Sequence, residues 1–306
     1  MEDLGEDLPR VAKNTAETTR TDIVEHEKQA WSKILGTEIT IPPPPDYVTP
    51  TVQARLHKEG FGIFYIPPLL DSSVDTQESL KTKGPGQFSR DVLKRFPAFK
   101  NHSDLISYGD LADPSIPRGL NSWFWEAVYK GDIPFPSDAG EGKWVAVETL
   151  PKATTFRQDG TTFEQYVDTP FSRRLYQTTV FSPKPDKEPR WNNRFNIPPN
   201  AIDRGLKEIS DNFFKDMDLA ELRGLGLADP SQVIRLLTAP EYNLLGSRET
   251  DFVNPPGNLT RSQELTSTPW RGYGRVVIGL DGDAGHANFV VKDTTNTGFR
   301  AAIILK

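Results

Sequence analysis

Cysteine is missing from this chain of 306 residues. Its absence excludes disulfide bonds, zinc or iron–sulfur centres held by thiolates, and any thiol nucleophile. The chain also lacks an apolar run of the roughly 18 to 20 residues that a membrane span requires. Its opening segment, MEDLGEDLPR, is acidic, whereas a signal peptide is basic and then apolar. We therefore expect a soluble protein with no membrane insertion and no export signal of its own.

Basic residues are also fewer than acidic residues. The chain has 36 lysines and arginines against 42 aspartates and glutamates, a net charge of −6. This balance disfavours a general binder of nucleic-acid phosphates. Hydrophobic residues make up 36% of the chain, enough for the core of one large domain or of a domain with a subdomain. The 26 prolines and 23 glycines predict extensive loops rather than a helical bundle.

Motifs that carry catalysis or hold cofactors are also lacking. The four histidines have no histidine or cysteine partner at metal-binding spacing; they are His26, His57, His102 and His286. The segment DGDAG begins like a calcium loop but lacks the later ligands. No P-loop, GxGxxG or G-x-S-x-G motif occurs. We predict no metal, no cofactor and no catalytic residue, although the many carboxylates leave a pair for glycoside hydrolysis open.

The sequence divides into three regions. Residues 1–45 contain an amphipathic pattern over 8–35 and a stiff proline run, Pro42–Pro45. The pattern predicts a helix that either docks on the body of the protein or binds a partner. Residues 46–135 form an N-terminal region with an aromatic segment, and residues 136–306 form a C-terminal domain.

The region 46–135 has three recognisable parts. A short helix is predicted from Val48, and Phe61, Ile63 and Tyr65 then alternate as on a strand face. Residues 72–116 are polar and predict turns. Four aromatic residues crowd into the next helix-like stretch and are predicted to lie in the core rather than to form a ligand platform; they are Trp123, Phe124, Trp125 and Tyr129.

The C-terminal domain is predicted to mix strands and helices. Gly142–Leu150 alternates like a strand, and the following forty or so residues predict loop with a short helix near Phe163–Tyr166. Asn200 is a candidate N-cap of an amphipathic helix. Thr238 and Glu241 have the spacing of a capping box for another helix. The apolar runs RVVIGL and GFRAAIIL predict two core strands near the end of the chain.

Three segments resemble one family. RLLTAPEYNLL, from Arg235 to Leu245, resembles the R-L-P-T-x-x-E-[WY] motif of the formylglycine-generating, sulfatase-modifying branch of the C-type lectin fold. Gly298–Arg300 resembles the closing G-F-R of that domain, and Arg275–Gly279 stands where the branch has an R-V-x-R-G-G strand. The resemblance implies an α+β protein: a C-type lectin fold over 136–306 with an N-terminal helical and irregular extension.

The missing cysteines change what the resemblance implies about function. The oxidase of that family works through cysteines, so the fold can be carried over but the catalysis cannot. The remaining pattern resembles the variable proteins of diversity-generating retroelements, with E-x-T-x-T at Glu264–Thr268 and a closing G-F-R-A-A. That class implies a non-catalytic, receptor-recognition protein whose C-terminal surface, about 262–292 here, is diversified to bind a protein or cell-surface ligand.

The resemblance also divides the C-terminal residues into two sets. Diversification of asparagine-type codons cannot produce Trp or Lys, which removes Trp270 and Lys292. The predicted ligand-contacting, variable positions are Arg271, Tyr273, Leu280, Asp281, Asp283, His286, Asn288, Val290 and Val291. The predicted structural framework is Arg235, Glu241, Arg275, Val277, Gly298, Phe299 and Arg300, with apolar members in the core and charged members paired or bonded to backbone. Exposed substitutions change stability far less than core substitutions, so diversity on such a frame is tolerated.

Two other functions stay open at this point. The chain is a candidate for a cysteine-free enzyme on the same fold, either metal-dependent or acting on glycans. It is also a candidate for a structural particle protein in which the fold mediates assembly. Display of a receptor-binding surface would require a virion, a phage-like particle, a cell surface or another secretion route, and an oligomer is compatible with all three functions.

Overall fold

The structure is a computed structural model that describes most of the chain in separate stretches. The described residues are 20–96, 122–149, 152–156, 162–166, 169–178, 197, 199–216, 234–248, 263–271, 274–278, 287–290 and 297–305. Within them helices and strands are mixed, which agrees with the predicted α+β class.

Helices and strands follow one another without a repeating unit. The helices are α1 Arg20–Leu35, α2 Pro50–Glu59, α3 Gln77–Lys83, α4 Pro85–Leu93, α5 Ser122–Lys130, α6 Pro170–Leu175, α7 Pro199–Asp216 and α8 Ala239–Arg248. The strands are β1 Phe61–Ile66, β2 Lys143–Glu148, β3 Lys152–Phe156, β4 Thr162–Tyr166, β5 Ile234–Leu236, β6 Gln263–Trp270, β7 Gly274–Ile278, β8 Ala287–Val290, β9 Thr297–Gly298 and β10 Ala301–Leu305. None of the helices in the described stretches is long and apolar enough to cross a membrane.

The first sheet joins distant parts of the sequence. It has the order β1-β2-β10-β5, and all its neighbours are antiparallel. Strand β10, which lies between β2 and β5, is buried along its whole length, and Val145, Ala146 and Val147 of β2 are buried as well. Since β1 comes from 46–135 and the other three strands from 136–306, the two predicted regions share one sheet.

Local signals explain how the chain enters this sheet. The Thr49 hydroxyl accepts the N–H of Val52 and caps α2, and Pro50 follows in the first turn. Gly60 ends α2 with φ of 98°, a left-handed conformation that only glycine adopts without strain. The strand predicted around Phe61–Tyr65 begins directly after this turn, and the predicted strand over 142–150 is also confirmed.

The second four-stranded sheet has the order β8-β7-β6-β9. Its β6–β7 ladder is interrupted by a register shift between Leu265 and Pro269. Strand β6 attaches to the β5–α8 connection, because Ser267 N–H donates to the Leu237 carbonyl at 2.9 Å and Ala239 N–H donates to the Thr268 hydroxyl at 2.8 Å. The predicted RVVIG strand is confirmed as β7.

The aromatic segment of α5 lies largely in the core, as predicted. Phe124 and Trp125 are completely buried, and the Trp125 ring meets Phe88 edge-on at 4.8 Å between centroids. The prediction is wrong for Tyr129, which is 48% exposed because it lies near the end of the helix. The side chain of Trp123 is outside the described residues.

The N-terminal helix is confirmed over Arg20–Leu35, and its predicted residues 8–19 lie outside the described part. Trp31 is completely buried in the main core, and Ile34 is 9% exposed. The docked alternative therefore holds for this stretch of the helix.

Three local predictions are wrong. The helix predicted near Phe163–Tyr166 is the strand β4, paired with β3 in a hairpin, because KATTF and TFEQY alternate and carry β-branched threonines. The described part of 72–116, residues 72–96, contains α3 and α4, and residues 97–116 lie outside the described residues. Short capping signals start both helices: Thr76 and Ser79 form a capping box, and Pro85 opens α4. Asn200 is not an N-cap, since α7 begins at Pro199.

Candidate functional site

A buried ion cluster connects β5 to the start of α8. Arg235 donates through both terminal nitrogens to the Glu241 carboxylate, at 2.8 and 2.7 Å. The ammonium of Lys143, on β2, lies 3.0 Å from the same carboxylate. Thr238 and Glu241 form the predicted capping box, with Thr238 N–H donating to Glu241 Oε2 at 2.8 Å. Glu241 is only 3% exposed, and its partners lie on β5, on β2 and in the connection before α8.

These neighbours determine the ionisation of Glu241. Burial by itself raises the pKa of a carboxyl group, but the hydrogen bonds and charge of Arg235, the charge of Lys143 and the N–H of Thr238 outweigh it and lower the pKa of Glu241 to about 2. The side chain is thus a carboxylate over the physiological pH range. A carboxylate held in this way serves as a structural anion and not as a general acid.

The G-F-R segment links the two sheets. Gly298 pairs with Glu264 in the second sheet, and Phe299 is completely buried. Arg300, 3% exposed, donates to the Glu148 carbonyl at 3.1 Å. The Glu148 carboxylate accepts the N–H of Ala301 at 2.8 Å. The segment therefore carries the chain from β9 to β10 through a buried polar contact with β2.

The turn after β6 holds the first predicted variable position. Arg271 has a positive φ of 49°, a conformation that non-glycine residues adopt rarely. Its N–H donates to the Asp132 carbonyl at 2.6 Å, and its guanidinium donates to both carboxylate oxygens of Asp132, at 2.9 and 3.0 Å. The guanidinium carbon also lies 4.5 Å from the ring centroid of Trp270. Arg271 thus tethers this turn while half of its side chain stays exposed.

Asp132 is positioned by the end of α5. Gly131 has φ of 80°, and Asp132 N–H donates to the Ala127 carbonyl at 2.8 Å, which closes the helix. Hydrogen bonds from Arg271, which outweigh the opposing effect of desolvation, lower the pKa of Asp132 below its ordinary value. Asp132 was not among the predicted site residues, and the only sequence signal for it is the Gly131-Asp132 pair directly after the aromatic helix.

The ladder between β7 and β8 contains two further predicted variable positions. Val290 pairs with Arg275 and Asn288 with Val277, whereas the fully buried Val276 pairs with Phe289 between them. Directly paired residues of an antiparallel ladder share a sheet face, and successive residues alternate. The register therefore assigns positions 288 and 290 to the face opposite the buried one.

Arg275 connects the second sheet to helix α7. Its guanidinium donates to the Asp203 carboxylate of α7 at 2.6 Å, and both side chains remain partly exposed. The N-terminal part of α7 therefore lies beside the second sheet at this point. Asp203 was also missed by the sequence analysis, because nothing in the spacing connects it with a residue 72 positions later.

The remaining predicted positions lie outside the described residues. They are Tyr273, Leu280, Asp281, Asp283, His286 and Val291, together with the side chains of Val277, Asn288 and Val290. The structure thus brings the described framework residues to the contacts between elements and assigns positions 271, 288 and 290 to the second sheet and its turn. In the part of the chain that the structure describes, no group of three or more His, Asp and Glu residues is arranged to hold a metal ion.

Comparison with known proteins gives no match: no family model, no curated protein and no solved structure matches the chain. The resemblance to the formylglycine-generating branch therefore rests on the motif residues. The C-type lectin fold and the function that it implies stay predictions.

Proposed function

We propose that the protein is a non-catalytic binding protein whose C-terminal part, with a C-type lectin type of fold, recognises a protein or cell-surface ligand through a diversified surface. The single observation that supports this proposal best is a difference in contacts between two sets of described residues. The motif residues Glu241, Phe299 and Arg300 make buried contacts between elements, while positions 288 and 290 of β8 pair with Val277 and Arg275, on either side of the buried Val276.

The carboxylate of Glu241 is not placed for acid–base catalysis. Glu241 is ionised and bonded to Arg235, Lys143 and the backbone of Thr238. An acid–base catalyst needs a pKa near the working pH and an open approach for substrate, and Glu241 has neither. Its role in the proposal is to hold the start of α8 against β5, so that the second sheet is presented on a rigid support.

Diversification is the part of the proposal that a sequence experiment tests. The DNA that adjoins the coding region should contain a near-copy of the codons for residues 255–306 that differs at adenines, close to a reverse transcriptase gene. The mismatched codons should include those of positions 288 and 290 and exclude those of Arg235, Glu241 and Arg300. Mismatches concentrated in framework codons, or no such copy, would overturn the diversified-surface proposal.

Ligand binding is tested separately with the protein itself. A library that randomises positions 280, 281, 283, 286, 288, 290 and 291 in the full chain should remain folded in most members and yield different binders when selected on different immobilised proteins. The control is a library that randomises seven exposed positions in and before α3: Ser72, Ser73, Val74, Gln77, Glu78, Lys81 and Thr82. Binders that arise equally often from both libraries would contradict a dedicated surface.

A further inference from the structure

Among the strands that the structure describes, β1 lies at an edge of the first sheet and lacks the usual protection of an edge. It ends the first sheet, and its sequence FGIFYI has no charged residue and no proline. An edge strand offers unpaired N–H and C=O groups to any other strand, and proteins usually block it with charges, prolines or bulges. Protection of β1 must therefore come from another element.

Two side chains of α1 supply hydrogen bonds to this edge. Tyr65 N–H donates to Glu27 Oε2 at 2.8 Å, and Trp31 Nε1–H donates to the Tyr65 carbonyl at 2.7 Å. Glu27 and Trp31 are 1% and 0% exposed, and their spacing of four residues puts them on one helix face. They are thus fixed in the core rather than swinging over the surface.

The pair of contacts reproduces what a neighbouring strand would do. In a hydrogen-bonded antiparallel pair, one residue accepts the N–H of its partner and donates to the carbonyl of the same partner. Glu27 performs the first task and Trp31 the second, both on Tyr65. Helix α1 therefore replaces one residue pair of a fifth strand.

The cover extends over only part of β1. Tyr65 and Ile66 are buried, whereas residues 62–64 are partly exposed. Because strand residues two apart direct their backbone groups to the same side, the N–H and C=O of Ile63 point to the same edge as those of Tyr65. Displacement of the two α1 side chains would therefore open a continuous stretch of edge.

We propose that α1 is a covering helix that prevents β1 from pairing with the β1 of a second copy of this chain. A second copy suits this edge because two identical antiparallel strands are related by a twofold axis, so the same backbone groups serve on both sides. The strand has no charge that would repel its own copy. Pairing would join two four-stranded sheets into one continuous sheet of eight strands.

The test removes both hydrogen bonds while keeping side-chain bulk, in the full-chain variant Glu27→Leu, Trp31→Phe. Exchange of the Tyr65 amide hydrogen should become at least about tenfold faster, since its hydrogen bond to a carboxyl group is lost. Light scattering over a range of concentrations should give twice the molecular mass that it gives for the native protein. The matched control is Glu25→Leu, the same change at an exposed position of the same helix, which should alter neither readout.

The surface of association is identified with a single introduced cysteine, because the chain has none of its own. In the double variant, Ile63→Cys should form a disulfide-linked dimer under mild oxidation, whereas cysteine at the exposed Val74 should not. Ile63→Pro should abolish the dimer, since it removes an outward N–H and leaves the ladder with β2 intact.

Each other outcome counts against the proposal. A Tyr65 amide that stays protected would show that α1 does not cover the edge. A fast-exchanging amide in a chain that gains no dimer, a dimer that fails to cross-link through Ile63→Cys, or pairing with an unrelated peptide strand instead would overturn the second copy as occupant. The single variant Glu27→Leu removes the acceptor of the Tyr65 N–H and retains Trp31, so it provides the same two readouts if the double variant does not fold.

Discussion

The charged side chains that hold the two four-stranded sheets differ in their burial. Buried charged groups fix the first sheet: Glu241 and Arg300 are each 3% exposed and bonded to neighbouring elements. The second sheet is tethered by two ion pairs that are partly exposed. They join Arg271 to Asp132 and Arg275 to Asp203. Loss of a buried partner leaves an uncompensated charge, whereas a partly exposed ion is solvated by water when its partner is removed. The second sheet should accordingly tolerate more substitution than the first.

The largest expected effect is at the link between the sheets. Phe299→Ala removes a completely buried ring and should lower the free energy of unfolding by about 3 to 5 kcal/mol. Chemical denaturation monitored by tryptophan fluorescence measures the change. Tyr129→Ala, at a half-exposed aromatic position, is the control and should cost less than about 1 kcal/mol. Equal losses in the two variants would contradict a rigid link at Phe299.

Next in size is the buried ion cluster. Glu241→Gln leaves Arg235 and Lys143 without their shared anion and should lower the free energy of unfolding by about 3 kcal/mol. The matched control is Glu78→Gln in the first turn of α3, where the carboxyl group is exposed. A loss at Glu241 no greater than at Glu78 would remove the contrast between the buried and the exposed ion pairs.

The same carboxylate predicts a dependence of stability on pH. Its pKa is about 2 in the folded protein, compared with 4.5 for an ordinary glutamate. A lowered pKa stabilises the folded state above the ordinary value, and this contribution is lost as the pH falls from about 4.5 towards 2. Denaturation midpoints measured from pH 6 to pH 2.5 should fall less steeply in Glu241→Gln than in the native chain. Parallel curves would show that Glu241 does not titrate in this interval.

A smaller effect is expected at the turn of the second sheet. Asp132→Asn removes the charge that pairs with Arg271, and because Arg271 is half exposed the loss in the free energy of unfolding should be small and well below that of Glu241→Gln. A double-mutant cycle with Arg271→Gln isolates the pair from other effects of each change. A coupling energy near zero would mean that backbone bonding, rather than the ion pair, holds the turn.

The smallest effects are expected at the predicted variable positions on β8. If positions 288 and 290 belong to an exposed binding surface, as we propose, Asn288→Ser and Val290→Thr should each change the free energy of unfolding by less than about 0.5 kcal/mol. Val276→Thr, on the opposite face and fully buried, should cost more, because it buries a hydroxyl group. If the β8 substitutions lower the free energy of unfolding as much as Val276→Thr does, the expected tolerance of the second sheet is contradicted.

Several elements were predictable because their signals are local. The strand beginning at Phe61, the capping box of Thr238 and Glu241 and the strand at Arg275–Gly279 depend on residues a few positions apart. The hairpin β3–β4 was missed because a short threonine-rich stretch is compatible with loop, helix or strand until its partner strand is known. The same applies to the cap of α7, where Asn200 and Pro199 both match start signals.

The sequence by itself determined what depends on composition and near neighbours: no thiol chemistry, a net negative charge, a mixed α+β class and the framework motifs around Arg235 and Gly298. Only the tertiary structure decided which residues meet across long separations. Arg271 contacts Asp132, which lies 139 positions earlier in the chain, and Arg300 contacts Glu148, which lies 152 positions earlier. The physical reason is that sheet order and register, which are set by the packing of the whole core, choose these partners, and no spacing in the sequence encodes them.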